Sequence, residues 1–123
     1  MNIQRLHHAQ ITVTPEQQDA ARAFYCDVMG LEEIEKPDSL KSRGGFWLAL
    51  AGQEIHVSFE PAWDKQQTKA HLAYLVSDLE GWRTRLESRG IKIGDSVPIP
   101  GYNRFEFRDP FGNRVEFIEA VTD

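Results

Sequence analysis

HAQITV at residues 8–13 and HLAYLV at residues 71–76 open two halves of one chain alike, and GQEIHV at 52–57 and GNRVEF at 112–117 close them alike. Between these stretches each half carries one amphipathic segment ended by a glycine, Gly30 or Gly90, and each glycine stands 22 positions before the next marker, Gly52 or Gly112. The opening interval alone differs, at 22 positions from His8 to Gly30 against 19 from His71 to Gly90, a change of about one helical turn. A potential metal ligand sits at matched places in both copies: His8 and His71 at the opening, His56 and Glu116 near the close.

Local signals turn the repeat into an architecture. Residues 5–13 read as a strand, and Thr14-Pro15-Glu16-Gln17 supplies an N-cap, a proline at the first helical position and a capping-box glutamine. Ala20, Ala21, Phe24, Tyr25 and Val28 then form an apolar stripe until Gly30 ends the helix. Leu31 to Glu35 resumes as a strand, residues 36–45 are polar and flexible, and FWLALA and QEIHVSFE are two strands joined at Ala51-Gly52. In the second copy His71 to Val76 is a strand, Ser77-Asp78-Leu79-Glu80 a capping box, and Leu79, Trp82 and Leu86 the helix stripe. Ile91 to Ile93, Asn103 to Arg108 and Arg114 to Ala120 are its remaining strands, with Asp109-Pro110-Phe111-Gly112 turning the last two. The fold class expected is α+β, built from tandem βαβββ modules at 1–60 and 70–123 with a linker at 61–69, together one domain of 123 residues.

Composition narrows the function. A net charge of −5 without a basic cluster argues against nucleic acid or an anionic membrane as partner. No run approaches 18 apolar residues and MNIQRLHH lacks a signal-peptide core, so a soluble, cytoplasmic protein is expected. The single cysteine, Cys26, has no internal partner for a disulfide and lies among apolar residues, as a buried, inert thiol would.

Strand alternation sorts the candidates by face. His8, Gln10 and Thr12 oppose Ala9, Ile11 and Val13, and Glu54, His56 and Ser58 oppose Ile55, Val57 and Phe59. Arg114 and Glu116 oppose Val115 and Phe117, while His71, Ala73 and Leu75 oppose Leu72, Tyr74 and Val76. The apolar faces belong under the helices, which leaves a concave, partly polar surface on the other side of the sheet. One histidine there would be an ordinary residue of a half-exposed sheet. Three histidines and a glutamate at repeat-equivalent positions point to a site. His7 alternates to the opposite face and is read as a packing or edge residue. Arg104 and Glu106 share the ligand face, Arg104 as an anchor for a substrate carboxylate or as the partner of Glu106 in a surface ion pair.

With LHHAQITV, ARAFYCDVMGLEE and RDPFGNRVEFIE in place, the whole chain resembles the vicinal oxygen chelate superfamily of glyoxalase I, fosfomycin thiol transferases, extradiol dioxygenases, methylmalonyl-CoA epimerases and bleomycin-binding proteins. The resemblance implies a glyoxalase-like domain in which paired modules form a cupped mixed sheet, helices outside, around one divalent transition metal (Zn, Ni, Co, Fe or Mn). His8, His56, His71 and Glu116 match its four ligand positions. Imidazole-rich ligation suits Zn, Ni, Co, Fe or Cu better than Mg or Ca. The resemblance further implies a homodimer that takes a small-molecule substrate, with Glu116 as the catalytic base; Gln10, Arg104 and Glu106, which alternation puts on the ligand face, are the candidate substrate contacts. His56 departs from the family: glyoxalase I enzymes hold glutamate or glutamine there and epimerases hold glutamine. A metal-dependent lyase or isomerase that stabilises an enediolate-type intermediate is the leading expectation. An Fe(II) dioxygenase-type enzyme and a non-catalytic small-molecule binding or resistance protein are the alternatives.

Overall fold

Among the described residues eight short strands, rich in β-branched and aromatic residues, pair into two four-stranded sheets of identical connectivity. The computed structural model describes residues 1–121; Thr122 and Asp123, the end of the expected second module, lie outside the described residues. The chain divides into two compact units, Met1–Trp63 and Asp64–Asp123, so the boundary falls inside the expected 61–69 linker.

In the first unit β1 (His8–Val13), β2 (Glu32–Ile34), β3 (Phe46–Leu50) and β4 (Gln53–Phe59) stand in the order β1-β4-β3-β2. β1 runs parallel to β4, and the other pairs are antiparallel. Val13, Phe46, Leu48, Ile55 and Val57 turn to one side and are buried with Ala21, Phe24, Tyr25 and Val28 of the helical segment. Ala20, expected in that stripe, is exposed.

That segment is not one α-helix. A 3₁₀ turn at Pro15–Gln17 leads into α1 (Gln18–Arg22), and a π-helical turn follows at Ala23–Val28. The Gln17 half of the capping box forms, with Thr14 N–H donating to Gln17 Oε1 at 2.9 Å. Met29 N–H reaches back five residues to the Phe24 carbonyl at 3.0 Å, which is the π pattern. The longer opening interval of the first repeat is thus absorbed within the helical segment. The residues expected to be flexible, 36–45, contain a 3₁₀ helix at Asp38–Arg43 and are tied down by Gly45 N–H donating to Gln18 Oε1 at 2.9 Å. Gly45 has φ +78°, and a Cβ there would lie 2.1 Å from the Val57 carbonyl oxygen, so the position requires glycine.

In the second unit β5 (His71–Leu75), β6 (Ile93–Asp95), β7 (Tyr102–Arg108) and β8 (Arg114–Ala120) repeat the arrangement as β5-β8-β7-β6, with α2 at Leu79–Ser88. Its core is Tyr74, Leu79, Leu86, Phe105, Phe107, Val115 and Phe117. Two expectations shift here. The helix cap is Asp78, not Ser77: its Oδ1 accepts from Gly81 N–H at 3.1 Å while Glu119 Oε2 accepts from Leu79 N–H at 3.0 Å. β6 starts at Ile93 because Ile91 N–H is used at the helix end, donating to the Leu86 carbonyl at 3.1 Å. No described helix is long and apolar enough to cross a membrane.

Candidate functional site

Each unit brings one expected ligand pair together on the polar face of its sheet. In the first unit the two-residue turn Ala51-Gly52 sets β3 against β4 so that Trp47 lies opposite His56, and the parallel pairing of β1 sets Gln10 on the other flank. The His56 ring is the middle of a stack: His8 lies on one side with centroids 4.0 Å apart, and Trp47 on the other at 3.8 Å with its plane nearly parallel. His56 is buried while His8 is exposed. His56 Nε2–H donates to Glu54 Oε1 at 2.9 Å. Burial pushes the His56 pKa below its ordinary value, against the opposing pull of Glu54, so the ring is held in the neutral form that metal ligation needs. The same hydrogen bond lowers the Glu54 pKa.

Ser58 Oγ donates to Gln10 Oε1 at 2.9 Å, which orients Gln10 on this face. The His7 ring turns toward His8, with their Nδ1 atoms 3.0 Å apart, rather than to the opposite face. β1 begins only at His8, so strand alternation does not govern His7.

In the second unit the turn after β7 places Glu116. The Asp109 carboxylate accepts from Phe111 N–H at 2.9 Å and Asn113 N–H at 2.8 Å, closing the Asp-Pro-Phe-Gly turn from which β8 starts. Glu116 is 4% exposed. Its Oε1 lies 3.3 Å from His71 Nε2 and accepts from Arg104 Nη1 at 3.0 Å. His71 Nδ1 lies 3.0 Å from the Lys69 carbonyl oxygen. A carbonyl only accepts, so that contact puts a proton on Nδ1 and turns Nε2 toward Glu116. Nε2 and Oε1 face each other here, an arrangement that a proton or a cation between them would satisfy. Adjacent ligands on a metal at about 2.1 Å lie roughly 3.0–3.4 Å apart, so the separation suits a shared first-row ion. Arg104 therefore pairs with Glu116, and not with Glu106 as the surface alternative had it. Glu106 accepts instead from Arg114 Nε at 2.8 Å.

The donor types of each pair, His8 with His56 in the first unit and His71 with Glu116 in the second, are those that a borderline divalent metal takes. Among the described residues no group of three or more His, Cys, Asp or Glu side chains is gathered for a metal ion. Trp47 and Glu54 are the site residues that the sequence analysis did not single out. Both were within its reach, since counting back from the Ala51-Gly52 turn pairs Trp47 with His56, and Glu54 shares the strand face of His56. Cys26 is half-buried rather than buried, and burial with Glu33 and Asp27 raises its thiol pKa, so it is a poor nucleophile at neutral pH.

The fold is shared with known structures. A protein of Bacillus anthracis ascribed to the glyoxalase family is 37% identical, with a TM-score of 0.86 over 98% of both chains. The genomically encoded fosfomycin resistance protein FosX of Listeria monocytogenes, solved with Mn(II) and a sulfate ion, superposes with a TM-score of 0.78 at 17% identity, over 98% of this chain and 93% of that one. Lactoylglutathione lyase from Agrobacterium tumefaciens gives a TM-score of 0.72 at 22% identity, over 97% and 96%. No curated protein matches. The model of one family matches residues 5–117, nearly the whole chain, which belongs to the Glyoxalase/Bleomycin resistance protein/Dioxygenase superfamily.

Proposed function

We propose that the protein is a metal-dependent lyase or isomerase of glyoxalase type, with His8, His56, His71 and Glu116 as the ligands of one divalent transition metal. The observation that carries this reading is the His71–Glu116 pair, in which an imidazole nitrogen and a buried carboxylate oxygen face each other at 3.3 Å. Membership of a superfamily that includes a Mn(II) complex supports it. When bound, the metal supplies Lewis acidity toward two adjacent oxygens of a substrate, which acidifies the neighbouring carbon.

The chain's own residues do the rest. Glu116 Oε1 is engaged by Arg104 and His71, and Oε2 is the atom that takes the proton from carbon. Trp47 and Glu54 fix the plane of His56 by stacking and by hydrogen bond. Gln10 and Glu106 stand on the polar faces as substrate contacts. The reading extends to a homodimer acting on a small molecule in the cytoplasm, which sedimentation of the purified protein and fractionation of its host would check.

Metal analysis of the untreated protein should find one transition ion per chain. His56→Ala and Glu116→Ala should each lower that content at least tenfold, and Glu116→Gln should lower turnover of methylglyoxal–thiol adducts more than it lowers their binding. Unchanged metal content in both alanine variants would remove the proposed site. A second reading, a binding protein without turnover, draws on the stacked His8, His56 and Trp47 rings, which present an aromatic wall. Tight ligand binding by metal-stripped protein would favour it.

A further inference from the structure

Glu116 Oε1 carries two neighbours at once, Nε2 of His71 and the guanidinium of Arg104. The second neighbour is itself anchored: Arg104 Nε donates to the Val97 carbonyl at 2.9 Å while Nη1 donates to Glu116 at 3.0 Å. Arginine stays charged at any working pH, so Arg104 is the counter-charge of a carboxylate that is 4% exposed. Glu106, the other carboxylate on this face, is occupied by Arg114 and does not compete for Arg104.

We propose that Arg104 is an exchangeable counter-ion. It neutralises Glu116 while that carboxylate holds no metal, and it presents Nη1 to an oxyanion of the substrate once a metal takes Glu116. This rests on the reading of Glu116 as a metal ligand and adds a substrate class to it. A divalent cation and a guanidinium on one carboxylate oxygen repel each other, so metal binding must loosen the Arg104–Glu116 contact. The Val97 anchor keeps the freed guanidinium beside the site. Three neutral imidazoles and one carboxylate leave a divalent site with net charge of about +1, and a released Arg104 adds a second positive charge. A carboxylate or another oxyanion next to the chelating oxygens is the chemistry that such a site selects. Metal and oxyanion then bind with positive coupling, and the coupling is reciprocal.

Calorimetric titration of Zn(II) into metal-stripped protein, with and without acetate, tests this on the wild type, Arg104→Met and Glu116→Gln. Acetamide serves as the neutral control. Acetate should tighten zinc binding several-fold in the wild type and acetamide should not. Arg104→Met should bind zinc more tightly without acetate, by a factor on the order of ten, and should lose the acetate effect. If Arg104→Met shows wild-type zinc affinity and the wild-type response to acetate, the exchange is wrong, while a weakened Glu116→Gln would still support Glu116 as a ligand. If Glu116→Gln binds zinc as the wild type does, the ligand reading itself fails and takes the exchange with it. Nitrogen-15 spectra of wild-type protein give a measure that needs no Arg104 variant to fold. The Arg104 guanidinium signals should move when zinc is added and stay in place in Glu116→Gln, and signals unmoved in the wild type would overturn the proposal.

Discussion

Tyr74 shows how opposite the two sides of one strand are. It shares β5 with His71 but points the other way, 7% exposed, its ring edge-on to Phe117 at 5.9 Å. Burial pushes its phenol pKa well above the ordinary tyrosine value, with Asp109 adding to the rise. The unfolded chain therefore loses this proton first, near pH 10, while the folded chain keeps it. The contribution to stability is whole below pH ~10 and is lost as pH rises toward the folded pKa. Tyr74→Phe cannot ionise. The urea midpoint of the wild type should fall more between pH 9 and pH 11 than that of Tyr74→Phe, and equal falls would show that Tyr74 ionises freely. The face of each such residue was legible from alternation alone, and so were His8, His56, His71 and Glu116. The partners of Glu116 were not, because Arg104 reaches it diagonally, from a position that the β7–β8 register sets opposite Ile118. A long side chain chooses among several neighbours, and strand parity does not rank them.

The hairpin between β3 and β4 decides whether the first unit has a site, because its turn sets the register that brings Trp47 opposite His56. Both turn residues are left-handed, with φ of 46° at Ala51 and 82° at Gly52. Gly52 adopts that conformation freely, but Ala51 is strained by its Cβ. Ala51→Asn, which tolerates the left-handed region, should stabilise the protein by about 0.5–1 kcal/mol and leave the Trp47–His56 stack intact. A raised urea midpoint with unchanged tryptophan emission is the expected result, and a lowered midpoint would mean that the turn is not strained. Elements of this kind were legible because glycine, proline and alternation mark them locally. The π turn at Ala23–Val28 was not. Periodicity sees an apolar stripe from Ala21 to Val28 whether the chain closes hydrogen bonds over four residues or five. The three extra residues before Gly30 were visible as a spacing change. Their place followed only from the structure, with four more helical residues, Pro15–Val28 against Leu79–Ser88, one more in the first strand and two fewer between that strand and the helix.

Across the whole molecule the two units repeat strand order, register and the placement of the candidate ligands, and they part at one chemically decisive position. β1 and β5 both begin with a histidine, but β4 carries His56 where β8 carries Glu116. Each of the two is held by a neighbour of opposite hydrogen-bonding character, His56 by Glu54 and Glu116 by Arg104. If all four residues bind one metal, replacing the imidazole by a carboxylate would restore the symmetry, lower the net charge of the site from about +1 to about 0, and harden the donor set. His56→Glu should then weaken zinc binding by roughly tenfold or more, since the Trp47 stack that orients the ligand is also lost. Mn(II), which accepts oxygen donors more readily, should lose less, so the zinc-to-manganese affinity ratio should fall. Competition against a chromophoric chelator measures both ions on both proteins. A ratio unchanged by His56→Glu would place His56 outside the metal's coordination and leave it as the buried middle ring of an aromatic stack.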